Sequence, residues 1–132
     1  MGLSDDERKA LINLKIERTY ETIQEIPYHI EKGFYRTAAN RLYYACFYIT
    51  SALLLQNKFE AHTHQGIINL FALHFVKTGI VRIEDGQLYR SLFELRQTGD
   101  YDEGKIVTRE DIITRFEPTK KFIKTIEKLI NN

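Results

Sequence analysis

Arg96 stands where its residue type is hardest to accommodate. Tyr89, Leu92, Phe93 and Arg96 follow the i, i+3, i+4, i+7 spacing of one helix face. The guanidinium therefore continues an apolar line and needs a partner there. Two readings of that placement stand. In one, Arg96 lies at the end of its helix, snorkels to water and holds carboxylates such as Asp100 or Asp102. In the other, it lines a cleft and binds phosphate, for which its planar five-donor fork is suited. Tyr101 follows between two aspartates, in what reads as an exposed turn. Its hydroxyl either anchors packing with one wet end, or positions or accepts a phosphate group. A phenol, with a pKa of about 10, is a poor base at neutral pH.

Further polar atoms fall in otherwise apolar segments. Asn40, Tyr43 and Tyr44 sit in the most apolar stretch of the chain, and each needs a hydrogen-bond partner if buried. They read as a satisfied core network, or as hydroxyls that reach Arg96 if the two helices are neighbours. The histidines are His29, His62, His64 and His74. They match no metal-ligand spacing, and the lone Cys46 falls in another segment, so no metal site and no cofactor is expected. His64 reads as a helix-start cap or polar core partner. No phosphate-cradling glycine loop, nucleophile elbow or HExxH motif is present.

The elements that must carry these residues are helical almost throughout. Ser4 opens the first as an N-cap, followed by Asp5, Asp6 and Glu7. Ile12, Ile16, Ile23, Ile26 and Ile30 then form one stripe, with Thr19 in the gap. Pro27 kinks this helix or ends it near Ile26, and Gly33 stops what remains. A second helix, 34–55, is apolar on nearly every side and so belongs in the middle of a bundle. Thr63 caps a third, 64–77, with Ile67, Ile68, Phe71 and Phe75 inward. "GIVRIEDG" connects it as an extended loop to a fourth helix, 85–97, which "TGDYDEG" is expected to break. The last begins after Thr108 with the capping box "TRED", and its stripe of Ile112, Phe116, Ile123, Ile126 and Ile130 keeps phase across Pro118. The expected architecture is all-α: a bundle of about five helices forming a single domain over residues 1–132.

Composition narrows the classes. A net charge of +1 leaves no global field to draw the chain onto nucleic acid or membrane. A local groove is still open, with Arg36, Arg41, Arg90 and Arg96 as candidates. One cysteine excludes an internal disulfide, which fits a reducing compartment. The longest apolar run, "LYYACFYITSALLL", is 14 residues, too short to span a bilayer. With a charged N-terminus this points to a cytoplasmic protein with no membrane association.

"GFYRTAANRLYYACFYITSALLL", "THQGIINLFALHFVKTG" and "LFELRQTGDYDE", in that order, resemble the small stand-alone prokaryotic HEPN-domain proteins over most of the chain from Lys32. The resemblance implies an up-and-down helical bundle of four or five helices that often dimerises through its motif-bearing helices. It also implies a toxin–antitoxin setting with a separate minimal nucleotidyltransferase as partner, and an RNA or nucleotide ligand. Ribonuclease members carry an arginine, four to six residues and a histidine. Arg96 matches the arginine, Asp100 loosely matches the polar residue after it, and Tyr101 stands where the histidine is first allowed. No histidine follows Arg96. Three readings are open: a binding or toxin–antitoxin component recognising nucleotide or RNA around Arg96 and Tyr101, with Asn40, Tyr44 and His64 in support; a metal-independent ribonuclease; or a structural interaction domain whose arginine is only a cap. Tyr101 as the acceptor of a nucleotidyl group belongs to the first.

Overall fold

The computed structural model describes residues 2–101 and 104–132. The described residues form helices and turns, with no strand. Helix α1, Asp5–Gln24, opens on a closed capping box: the Ser4 hydroxyl accepts the Glu7 N–H at 3.1 Å, and the Glu7 carboxylate accepts the Ser4 N–H at 3.0 Å. The predicted break at Pro27 is real. Proline has no N–H to continue the ladder, so α1 stops and α2, Ile26–Lys32, starts with the proline in its first turn. Gly33 then takes the left-handed conformation (φ 75°) and ends α2.

Helix α3, Tyr35–Gln56, is the axis of the bundle and touches every other helix. Its stripe of Ala38, Leu42, Ala45, Ile49 and Ala52 is fully buried, and the small residues let neighbouring helices approach closely. Helix α4, His64–Phe71, is capped by the Thr63 hydroxyl, which accepts the Gly66 N–H at 2.9 Å. The expected helix to Lys77 is not uniform. Its last part, Ala72–Val76, widens into a π turn, with the Lys77 N–H bonded to the Ala72 carbonyl at 2.8 Å.

The largest departure from expectation is helix α5, Ile83–Tyr101. It starts two residues early. The buried Asp85 carboxylate accepts the Arg82 N–H and the Arg82 guanidinium, both at 3.3 Å. It also runs four residues past Gln97, through the segment read as a breaking turn. Gly99 is buried inside the helix, where a Cβ would stand 3.3 Å from Val107 Cγ2 and 3.7 Å from Arg36 Cγ. This glycine is therefore a point of close approach between α5, the start of α3 and the connector to α6, not a stop. Asp102, one of the carboxylates considered for Arg96, and Glu103 lie outside the described residues.

Helix α6, Arg109–Asn131, has the predicted box: the Thr108 hydroxyl accepts the Asp111 N–H, and the Asp111 carboxylate accepts the Thr108 N–H. It continues across Pro118 as its phase required. The Arg96–Tyr44 and Gly99–Arg36 contacts set the end of α5 against the start of α3. Gln56 donates to the Ile130 carbonyl, so α3 and α6 finish at the same end. The long helices thus run up and down, as the family resemblance implied. Among the described residues no helix is long and apolar enough to cross a membrane.

Candidate functional site

Arg96 is held by the last two turns of α5 against the first half of α3. Its guanidinium carbon lies 5.5 Å from the Tyr43 ring centre, 5.4 Å from that of Tyr44 and 5.7 Å from that of Tyr101. Aromatic faces are negative, so three of them make this half-buried position tolerable for a cation. Nη2 donates to the Tyr44 hydroxyl at 3.4 Å. Nε lies 2.9 Å from Asp100 Oδ2, but its N–H is turned off that line, so the contact is an ion pair without a hydrogen bond.

The helical extension of α5 explains why Asp100 and Tyr101 reach Arg96 together. Residues 96 and 100 are one turn apart on a helix, so their side chains share a face. Tyr101 is 73% exposed although its ring borders Arg96, which leaves its hydroxyl open to a ligand or a partner. It projects from a helix end and not from the turn that was expected.

A second cation joins from α3. The Arg41 guanidinium lies 5.3 Å from the Tyr44 ring centre, so Tyr44 carries two cations. Arg41 Nε and Nη2 both donate to Asn40 Oδ1, at 3.1 and 2.7 Å. Asn40 thereby aims Arg41, and it lines an open cleft with Arg36, Thr37, Gly99, Asp100 and Tyr101. Of the four arginines proposed for a groove, Arg36 lines this cleft, and Arg41 and Arg96 meet at the Tyr44 ring beside it. Arg90 does neither: it borders a separate apolar groove with Ile68, Phe71 and Ile83.

His64 arrives from α4. Its Nδ1 is 2.6 Å from the Tyr43 hydroxyl, and its ring stacks on Phe47 at 4.6 Å and meets Tyr44 edge-on at 5.8 Å. Burial, then the Arg96 cation, lower its pKa, so the imidazole is neutral at pH 7. Tyr43 is wholly buried. Desolvation drives its phenol pKa far up, against a smaller opposing pull from Arg96, so it remains protonated. Tyr43 was legible as a core tyrosine or as one that reaches Arg96; its ring does border Arg96, and its hydroxyl meets His64, a contact with no signal in the sequence. The other histidines sit elsewhere: His29 contacts Glu25 at 3.0 Å, and His74 stacks on Phe59.

All six residues singled out from the sequence, Arg96, Tyr101, Asp100, Asn40, Tyr44 and His64, thus belong to one neighbourhood. Comparison with known proteins agrees with the fold. The HEPN domain model matches residues 13–129. A UPF0332 protein of Thermotoga maritima is 35% identical over 127 residues, 96% of each chain. Two proteins of Methanocaldococcus jannaschii, both named as candidate toxins, are also similar. One is 30% identical over 130 residues, covering 92% of this chain and 96% of the relative. The other is 33% identical over 97 residues, covering 74% and 64%. With an all-helical bundle, a match over nearly its whole length and an arginine at the end of α5, this chain belongs to the HEPN domain family.

Proposed function

We propose that this protein is the toxin-type component of a two-protein system, binding the phosphate groups of RNA or nucleotide at the cleft around Arg96 and Tyr101. The observation that carries this reading is the meeting of Arg41 and Arg96 at the Tyr44 ring, beside a cleft lined by Arg36 and Tyr101, with Asp100 as the one carboxylate contacting Arg96 among the described residues. Two guanidiniums over one tyrosine ring repel each other, and a bound phosphate relieves that repulsion while accepting their donors. The exposed Tyr101 ring beside Arg96 is suited to stack on a base. The toxin names of two relatives support the setting.

A second copy of the chain and a separate minimal nucleotidyltransferase are the partners of this reading. Exposed Tyr28, Phe34 and Ile106 lie on or beside the rim of the cleft region, an apolar surface suited to a partner. The reach of the Tyr101 hydroxyl suits nucleotidyl transfer, in which a Tyr101 O–P bond forms and pyrophosphate leaves a nucleoside triphosphate. Binding of a labelled single-stranded RNA, followed by fluorescence anisotropy, tests the reading. Arg96→Ala should weaken binding about tenfold, the loss of one charge-assisted contact. Equal affinity for both proteins would make Arg96 a capping residue only.

A further inference from the structure

A groove of about 360 Å³ lies between α1, α3 and the connector to α4, and it shares no lining residue with the cleft of Arg36 and Tyr101. That volume falls in the range of small-molecule sites, about 300–1,000 Å³. Leu11 and Lys15 line it from α1, one helical turn apart. Phe47, Ser51 and Leu55 line it from α3 at the same spacing, and Phe59 joins from the connector. Two hydrogen-bond donors on these apolar walls have no acceptor. Lys15 is half-buried, and among the described residues no carboxylate pairs with it. Glu60 lines the groove as well, but it is exposed. Burial, then the Arg18 cation, lower the Lys15 pKa. The ammonium is thus desolvated without compensation, a cost that an anion in the groove removes. Ser51 is the second donor. It is 6% exposed, and its hydroxyl has no hydrogen-bond partner. Thr19, Thr22 and Thr114 donate to the carbonyl one turn back, at 2.8, 2.7 and 2.8 Å, a common fate of a helical hydroxyl. Ser51 lines the groove and makes no such bond.

We propose that this groove binds a small carboxylate with an apolar body, its oxygens accepting from Lys15 Nζ and the Ser51 hydroxyl and its body resting on Phe47, Leu55 and Phe59. A carboxylate is an acceptor with a single charge, which suits one ammonium and one hydroxyl. A phosphate would bring further oxygens and charge against walls that offer them nothing. The apolar body gains by leaving water, as the half-buried rings and Leu55 do when it covers them. This site is independent of the phosphate-binding reading above.

The test titrates the full chain with hexanoate and with 1-hexanol, an uncharged probe of the same length, and follows the protein by NMR. Expected is saturable movement of the Phe47 and Phe59 ring signals. Hexanoate should bind about tenfold tighter than 1-hexanol, the scale of one charge-assisted contact. Lys15→Met should remove that advantage while 1-hexanol binds as before, and Ser51→Ala should weaken hexanoate about threefold. Lys15→Gln serves as a second variant if the first melts early. No saturation below about 10 mM, equal affinity of the parent for the two probes, or hexanoate bound equally by the parent and the Lys15 variants overturns the proposal. So does binding that leaves the Phe47 and Phe59 signals in place.

Discussion

Asp100→Asn separates a functional Arg96 from a structural one, because the two roles predict different signs. Asp100 and Arg96 form an i, i+4 pair in the last turns of α5, at 2.9 Å. Such a pair contributes about 0.3–0.5 kcal/mol to stability. A carboxylate near the negative end of a helix costs a comparable amount, about 0.3–1 kcal/mol. The two offset, so the variant should unfold within about 0.5 kcal/mol of the parent. Affinity for phosphate should move much further. Two charges about 4 Å apart interact by about 1 kcal/mol in water and about 4 kcal/mol at an effective dielectric of 20. The Arg96 and Asp100 side chains are 15% and 28% exposed, and the cleft is open, which places the site toward the wet end of that range. Removing the competing anion should then improve RNA binding by about 1 kcal/mol, roughly fivefold. Anisotropy titrations at low salt, with urea melts on the same preparations, check both halves. Affinity that stays level or falls, together with a loss of stability, would show that Asp100 and Arg96 serve the helix end and not a ligand.

The remaining predictions concern the scaffold and its proton balance. Thr108→Ala removes one half of the α6 capping box and should cost about 1 kcal/mol, a fall in Tm of about 3–5 °C by calorimetry. Leu92→Ala opens a cavity under the Arg96 turn, where the side chain is wholly buried, and should cost about 2–5 kcal/mol in denaturant melts. His64 has a folded-state pKa below its unfolded value of about 6.5, so the unfolded chain binds more protons between the two. Its contribution to stability is therefore complete above about pH 6.5 and is lost as pH falls through the folded pKa. Urea melts across that window should show a steeper acid decline for the parent than for His64→Gln.

Much of the bundle was legible because helical periodicity is a local property. The Ile12–Ile23 stripe, the proline break after Gln24 and the two capping boxes each depend on residues within a few turns. Gly99 misled for the same reason. Its sequence context reads as a breaker, whereas its role is set by Arg36 and Val107, which only the tertiary fold places beside it. The error mattered to the site, since continuing α5 through Tyr101 puts Asp100 and Tyr101 in helical register with Arg96. The inward placement of Arg96 followed from spacing, but its three aromatic partners lie on two helices, and no spacing rule links Tyr43 and Tyr44 to Arg96. The 2.6 Å contact between Tyr43 and His64 was hidden likewise, because it depends on how α4 leans on α3. Arg41 had a local signal that was used only in part: its one-turn spacing to Tyr44.

The central claim is that Arg96 meets phosphate. The salt dependence of RNA affinity tests it most directly, because each phosphate neutralised adds about 0.7 to the slope of log affinity against log salt for a single strand. Arg96→Ala should lower that slope by about 0.7 while weakening binding at every salt concentration. A slope identical to the parent's, with binding unchanged, would contradict the account.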